Sequence, residues 1–331
     1  MLTVESQVLE RHLPLLANQS LLFAGAINDD FPTQIQNQGN AVTVWSWYFD
    51  YAKRAKTAVN FGEEIENSAD LIIYYWTKNK QEVQFQLFQL LSHAPLGQKM
   101  LIVGENRCGV RSVENLLASY GNIAKIDSAR RCGLYHFELT KSVPFQFADF
   151  WKTYQHDALD NLVIHSLPGV FSANELDAGT ALLLSTFQQK IQGKVLDLGC
   201  GAGIVGAYLK QHNPLIELTM SDIHALALAS TRETLARNQL SAILVASDVF
   251  SDIDGKFDLI VSNPPFHDGI DTAYRAVNAL ISQAKNHLLP RGELRIVANR
   301  FLSYPDLLDR YFGSHQVLAK SNKFKVYRAF A

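Results

Sequence analysis

From residue 182 onward, short aliphatic runs alternate with stretches of helical periodicity. Lys194-Val195-Leu196-Asp197-Leu198 reads as a buried strand, and residues 204–211 as the helix that follows it. Residues 217–221 form a second expected strand, and 225–238, rich in Ala, Leu and Arg, a second helix. Three more strands are expected at 242–246, 257–262 and 292–298, with a helix over 272–289 that stops at Pro290-Arg291-Gly292. Strands alternating with helices imply a parallel sheet covered on both faces. The end of the chain departs from this rhythm. Residues 316–319 and 323–330 read as two strands turned at Ser321-Asn322, an antiparallel edge.

The first half carries a worn copy of the same pattern. Asp70-Leu71-Ile72-Ile73-Tyr74-Tyr75-Trp76 aligns with Asp258-Leu259-Ile260-Val261-Ser262-Asn263-Pro264. Residues 80–91 then match the helix before residue 289, and Lys99-Met100-Leu101-Ile102-Val103 matches Glu293-Leu294-Arg295-Ile296-Val297. The first half has no glycine cluster after an early strand, and Tyr75-Trp76 stand where the second half has Asn263-Pro264. The expectation is two tandem α/β domains, 1–155 and 156–331, the first without its chemical parts. Chance similarity of two α/β halves is the plain alternative.

Composition narrows the class. The chain has 331 residues, 47% of them apolar and 19% charged, which suits two globular domains with sizeable cores. No apolar run approaches the roughly 18 residues that cross a bilayer, and residues 1–14 lack a leader's apolar core, so a soluble cytoplasmic protein is expected. Cys108, Cys132 and Cys200 have no paired spacing, so reduced thiols are expected, with no zinc site or disulfide framework. The formal charge of −2 counts against a protein that coats nucleic acid through a global positive field. It does not exclude an enzyme that reaches one nucleotide through a local patch.

The candidate chemistry lies in the second half. Asp197-Leu198-Gly199-Cys200-Gly201-Ala202-Gly203 follows a strand and opens a helix, so backbone can approach a ligand beneath free helix N–H groups. Gly201-x-Gly203-x-x-Gly206 also fits the dinucleotide fingerprint, so the glycines alone leave two ligand classes open. Acids at later strand ends separate them. Asp222, followed by Ile223, can accept both hydroxyls of a ribose, and Asp248, followed by Val249, can take the exocyclic amine of an adenine. Asp197 can face the amino group of a methionine moiety. An adenosine with a free ribose diol and no pyrophosphate fits, which points to S-adenosyl-L-methionine; for each acid singly, a turn or helix cap is the alternative.

Asn263-Pro264-Pro265-Phe266 follows the fourth strand of this half, at the carboxyl edge where α/β sheets bind ligands. An aromatic amine is a poor nucleophile because its lone pair is delocalised into the ring. Asn263 Oδ1 and the Pro264 carbonyl can each accept one of its N–H groups and aim the lone pair at a methyl carbon. Phe266 can stack on the base, and the prolines stiffen the loop. His267 and Asp268 can assist proton removal or simply fix the loop. The motif by itself does not separate guanine N2, adenine N6 and a protein glutamine amide.

The chain resembles the bacterial guanine-N2 methyltransferases of 16S rRNA over nearly its whole length. The resemblance is carried by 103–107, 127–134, Leu167-Pro168-Gly169-Val170-Phe171-Ser172, the glycine cluster, 262–269 and 292–299. It implies two class I, Rossmann-like methyltransferase domains of which only the second is active. It also implies methyl transfer to guanine 1207 within the small ribosomal subunit. A monomer with no membrane partner is expected. It draws in Phe171-Ser172-x-x-x-x-Asp177-x-Gly179-Thr180, either a flap over the methionine end of the cofactor or a capped helix start. Arg107, Arg111, Arg130 and Arg131, mostly within the first-half motifs, are candidates for gripping RNA phosphates, with the carboxyl-terminal Lys320, Lys323 and Lys325 helping. Solvated surface charge is the alternative for each, and folding support is the alternative role for the whole first half.

Overall fold

A computed structural model describes residues 1–65, 69–264 and 270–331, with the side chains of 270–273 outside the description. The chain divides into two compact units, Met1–Phe150 and Trp151–Ala331. The division falls slightly before the expected 155/156. The reason is that Lys152–Tyr154 pairs antiparallel with Ile164–Ser166 and so belongs to the second unit.

The first unit holds a sheet of β1 (Leu21–Gly25), β2 (Val42–Ser46), β3 (Val59–Phe61), β4 (Leu71–Tyr75), β5 (Lys99–Glu105), β6 (Gly121–Ala129) and β7 (Cys132–Leu139). The second begins with the hairpin β8 (Lys152–Tyr154) and β9 (Ile164–Ser166). Its main sheet comprises β10 (Lys194–Leu198), β11 (Glu217–Asp222), β12 (Ile243–Ala246), β13 (Phe257–Ser262), β14 (Leu288–Asn299), β15 (Gln316–Lys320) and β16 (Phe324–Phe330). The two sheets have the same order, β3-β2-β1-β4-β5-β7-β6 and β12-β11-β10-β13-β14-β16-β15. In each, the first five strands are parallel and the last two antiparallel. Strands β4 and β5 occupy the places of β13 and β14, which is the register the sequence alignment of the halves implies.

The first copy uses its ligand edge for its own packing. The N-terminal helix Val4–Leu9 contributes fully buried Val8 and Leu9 to a core with Phe23, Ile27, Phe31 and Tyr75. Asp29, just past β1, accepts from Thr3 N at 2.6 Å, Ser6 Oγ at 3.1 Å and Phe31 N at 3.1 Å. Ser6 Oγ also meets Tyr75 Oη at 2.7 Å. A buried carboxylate satisfied by three protein donors has little left for a ligand.

In the second unit one face of the sheet is covered by helices Ile270–Ala284 and Tyr304–Phe312, which bury Val277, Leu280, Ile281, Tyr304, Leu307 and Leu308 against β13, β14 and β16. The helix after β13 ends at Ala284, not at 289. Lys285–His287 forms a 3-10 turn, and β14 begins at Leu288. Pro290-Arg291-Gly292 is a bulge within that strand, where Phe257 pairs with Leu288 but Leu259 pairs with Glu293. A proline beside a positive-φ residue (Arg291, φ 65°) is compatible with a bulge as well as with a helix stop, so local sequence did not separate them.

Helix Ala225–Arg237 carries Ser230, Thr234 and, just past its end, Asn238 at a four-residue spacing, hence on one face. This polar stripe takes up the backbone around β9. Ser230 Oγ accepts from Leu167 N (3.0 Å), Thr234 Oγ1 from His165 N (3.1 Å) and Asn238 Oδ1 from Val163 N (2.9 Å). The segment that continues to Phe171 and Asp177 is thereby fixed to the domain.

Candidate active site

Strands β10, β11, β12 and β13 end together at one edge, and the loops that leave them carry the expected residues. Gly199 N and Cys200 N both donate to Ser221 O, at 2.8 and 2.9 Å, which folds the glycine loop back over the end of β11. Gly199 has φ 74°, and the position its Cβ would occupy is open, so a ligand can approach this backbone closely. Gly203 closes the loop at the start of helix Ile204–His212. At Gly206 a Cβ would lie 2.5 Å from Met220 Cε and 3.0 Å from Asp197 Oδ2. That glycine serves packing, so the dinucleotide-like spacing has an internal explanation.

Asp197 is 1% exposed, and its Oδ2 accepts from Gly206 N at 2.8 Å. Burial pushes its pKa up to about 7, against the helping Gly206 N–H and reinforced by the neighbouring Asp222. Asp222 keeps a little solvent-facing surface yet is surrounded by protein, and burial raises its pKa as well. Its Oδ2 accepts from Gly201 N and its Oδ1 from His224 N, each at 2.9 Å. Each oxygen retains a lone pair, so the carboxylate is held in place and can still accept two hydroxyls. Ile223 is half-buried between them, and burial drives the His224 imidazole down to about 4, so it stays neutral. The Cys200 thiol is raised well above its ordinary range by burial and meets Thr231 Oγ1 at 3.3 Å, so it acts as packing rather than as a nucleophile.

Asp248 is exposed at the end of β12, in a turn closed by Asp248 N to Ser251 Oγ (3.1 Å) and Ser251 N to Asp248 O (3.0 Å). The next residue, Val249, has φ 52°, a conformation that costs a β-branched side chain about 1–3 kcal/mol. Strain of this kind collects where backbone must face a ligand.

The decisive geometry surrounds Asn263. It lies just past β13 and is 9% exposed. Its Nδ2 donates to Thr180 Oγ1 at 2.8 Å and to Asp177 Oδ2 at 3.3 Å. A carboxylate only accepts, so the amine side of the amide must face Asp177 and Oδ1 must point away. Asn263 Oδ1 is buried and has no hydrogen-bond partner among the described residues. Asp177 also caps helix Ala178–Leu184 by accepting from Thr180 N at 2.9 Å. The cap reading of this segment holds, and the same carboxylate reaches the asparagine. Upstream, Phe171 O lies 3.5 Å from where a Gly201 Cβ would sit, which sets this segment over the glycine loop. The sequence motif names both Asp177 and Thr180; what it does not show is their shared hold on Asn263, which only folding brings about. Pro264 is buried; Pro265, Phe266 and His267 lie outside the described residues.

The basic candidates sit in the first unit. Arg107 pairs with Glu105 at 2.8 Å and Arg111 with Glu114 at 3.8 Å, both on the surface. Arg130 and Arg131 form the exposed two-residue turn between β6 and β7 and both have positive φ, 52° and 62°. Asn106 N donates to Arg131 O at 2.8 Å, which brings the Arg107 loop beside this turn.

A doubly wound sheet with a glycine loop after its first strand, successive strand-end carboxylates and an Asn-Pro pair after the fourth defines an S-adenosyl-L-methionine-dependent methyltransferase. Residues 161–328 match the Methyltransferase small domain family, and residues 6–154 its N-terminal counterpart. The chain is 69% identical over 327 residues to ribosomal RNA small subunit methyltransferase C of Pasteurella multocida, covering 99% of both chains. It is 65% identical over 329 residues to the protein of that name from Mannheimia succiniciproducens, again covering 99% of both. Among solved structures it resembles the T. thermophilus 16S rRNA N2 G1207 methyltransferase in complex with AdoMet and guanosine. That match has a TM-score of 0.82 at 25% identity and covers 94% of this chain and 88% of the other. The chain belongs to the ribosomal RNA small subunit methyltransferase C family. Among the described residues no helix is long and apolar enough to cross a membrane.

Proposed function

We propose that this chain methylates the exocyclic N2 of one guanine of 16S rRNA, guanine 1207, in the small ribosomal subunit, acting as a cytoplasmic monomer. The observation that carries the reading is the buried, unpartnered Oδ1 of Asn263, held outward by two acceptors on its amine side. A buried acceptor left without a partner costs about 1–3 kcal/mol, which a substrate N–H recovers on binding.

The residues fit the cofactor. Asp222 would take the ribose diol, Asp248 and the Val249 backbone the adenine, Asp197 the amino group of the methionine end, and the Gly199–Gly201 backbone would lie along the ligand. A buried carboxylate raised to about 7 by burial gains most from a cationic neighbour, as that end of the cofactor supplies. When bound, S-adenosyl-L-methionine supplies a methyl carbon on a positively charged sulfur. Asn263 Oδ1 and the Pro264 carbonyl accept the two N2–H groups and direct the nitrogen lone pair along the line of attack. On methyl transfer from the bound cofactor's sulfur to N2, positive charge would develop on that nitrogen. Both acceptors strengthen their hold at that moment, and one proton then leaves to water. Phe266 would stack on the base, with His267 beside it.

In the first unit, Arg130 and Arg131, with Arg107 and Arg111 nearby, are proposed to grip rRNA phosphates. Two arginines in a turn that favours Asn-Gly are a costly choice unless the side chains are used.

Labelled methyl transfer to 16S rRNA followed by nucleoside analysis tests the reading. N2-methylguanosine is expected, and N6-methyladenosine would overturn it. Asn263→Ala should lower kcat about 100-fold or more while the affinity for S-adenosyl-L-methionine stays within a few-fold.

A further inference from the structure

We infer a second RNA-binding element, on the catalytic domain itself: a basic, aromatic rim formed by Arg300, Phe301 and the β15–β16 hairpin. This rests on the rRNA reading above and extends it to a surface that the glycine, acid and Asn-Pro motifs do not include. Strand β14 runs parallel to β13, with Ile296 opposite Ser262, so Asn299 and Arg300 emerge at the edge where Asn263 lies. Phe324 pairs with Asn299, which brings the hairpin tip to the same edge, and Arg300 N donates to Lys323 O at 2.7 Å. The tip also reaches the helix that holds Asn263. A Cβ at Gly179 would lie 3.3 Å from Phe324 Cε1, so the ring packs against the backbone between Asp177 and Thr180. Lys323 and Lys325 flank that ring in sequence.

Three features mark the rim as a site for a polyanion with stacking bases. Lys320 stands directly opposite Lys325 across the hairpin, a like-charge pair that weakens the ladder and that bound anion would relieve. Among the described residues, Arg300, Lys320, Lys323 and Lys325 make no ion pair, and residues 313–331 contain no acid. Phe301 is 86% exposed beside Arg300, an arrangement with no role in the core and suited to stacking on an unpaired base. Cations beside an exposed ring at the reactive edge fit single-stranded or locally opened RNA near the target nucleotide.

The test uses the full chain, a 16S rRNA transcript, and two variants at exposed positions: Arg300→Gln/Lys320→Gln/Lys323→Gln, and Phe301→Ser. Binding is measured over a salt series, alongside methylation kinetics and calorimetric titration of S-adenosyl-L-methionine. The triple variant should reduce the slope of log K against log salt by about 2–3, through loss of three phosphate contacts. Phe301→Ser should weaken binding about five-fold or more with the slope unchanged. In both, the loss should appear in KM for rRNA, with cofactor affinity as in the wild type. Wild-type slope and affinity in both variants would overturn the rim even if the wild type forms N2-methylguanosine. Absence of N2-methylguanosine from the wild type would instead overturn the functional reading beneath it.

Discussion

The hold on Asn263 can be tested by Thr180→Val, which removes one hydroxyl and keeps the shape. Thr180 is 2% exposed, and its Oγ1 is the nearer of the two acceptors of Asn263 Nδ2, 2.8 Å against 3.3 Å for Asp177. Losing that bond leaves the amide guided by one long contact, at a net cost of about 1–3 kcal/mol. Part of this falls on orientation. With the amide turned over, an N–H would face the substrate amine and the attacking nitrogen would lose its acceptor. If 1.4–2.7 kcal/mol of it reaches the transition state, kcat falls about 10- to 100-fold. KM for S-adenosyl-L-methionine should change little, because Asp222 and Asp248, the proposed contacts to ribose and adenine, are untouched. Thr180→Ser retains the hydroxyl and should restore most of kcat. Steady-state kinetics of both variants at saturating rRNA, with thermal unfolding as a check on the fold, is the assay. Wild-type kcat in Thr180→Val, or equal losses in the Val and Ser variants, would refute the positioning role.

Asp197 has its folded pKa raised from the ordinary carboxylate value to about 7, so the folded chain keeps a proton that the unfolded chain releases near pH 4. The ligand-free protein should therefore lose stability as pH rises from about 4 to about 7, by at most about 4 kcal/mol. Asp197→Asn should flatten that decline in urea unfolding measured across the window. Asn238→Ala removes bonds to Val163 N, Val163 O and Thr234 O, and should cost about 1–3 kcal/mol of stability by the same measurement. Replacing Arg130 and Arg131 with glycine should relieve the positive-φ turn, stabilising the chain by about 1 kcal/mol per residue. The same change should weaken rRNA binding and its salt dependence; tighter or unchanged binding would remove these arginines from the RNA contact.

Much of the architecture was legible because it is written in short-range periodicity. The strand at 194–198, the strand at 257–262 and the antiparallel pair at the end follow from runs of buried aliphatics. The glycine loop and the strand-end acids follow from their position relative to those runs. The duplication was legible for the same reason, since β4 and β5 keep the pattern of β13 and β14 though their chemistry is gone. The helix end after β13 was not, because Pro-Arg-Gly serves a bulge as readily as a helix stop, and pairing with β13 decides between them. Strands β1 to β3, and the hairpin that moves the domain boundary to Phe150, were not read from sequence either. The hairpin is fixed by the polar stripe of a helix some seventy residues away.

The sequence by itself determined which side chains stand at the reactive edge, because a strand end followed by glycine, Asp or Asn-Pro specifies its place in a parallel sheet. Only the tertiary structure decided which atoms of those side chains remain available. Asp29 in the first unit and Asp197 in the second are both buried near their sheets. One is satisfied by Thr3, Ser6 and Phe31, the other by a single N–H of Gly206. Asn263 could have turned either face of its amide outward. Thr180 and Asp177, 83 and 86 residues away along the chain, leave the oxygen as the free one. Hydrogen-bond satisfaction depends on partners brought together by folding, and no local pattern records it.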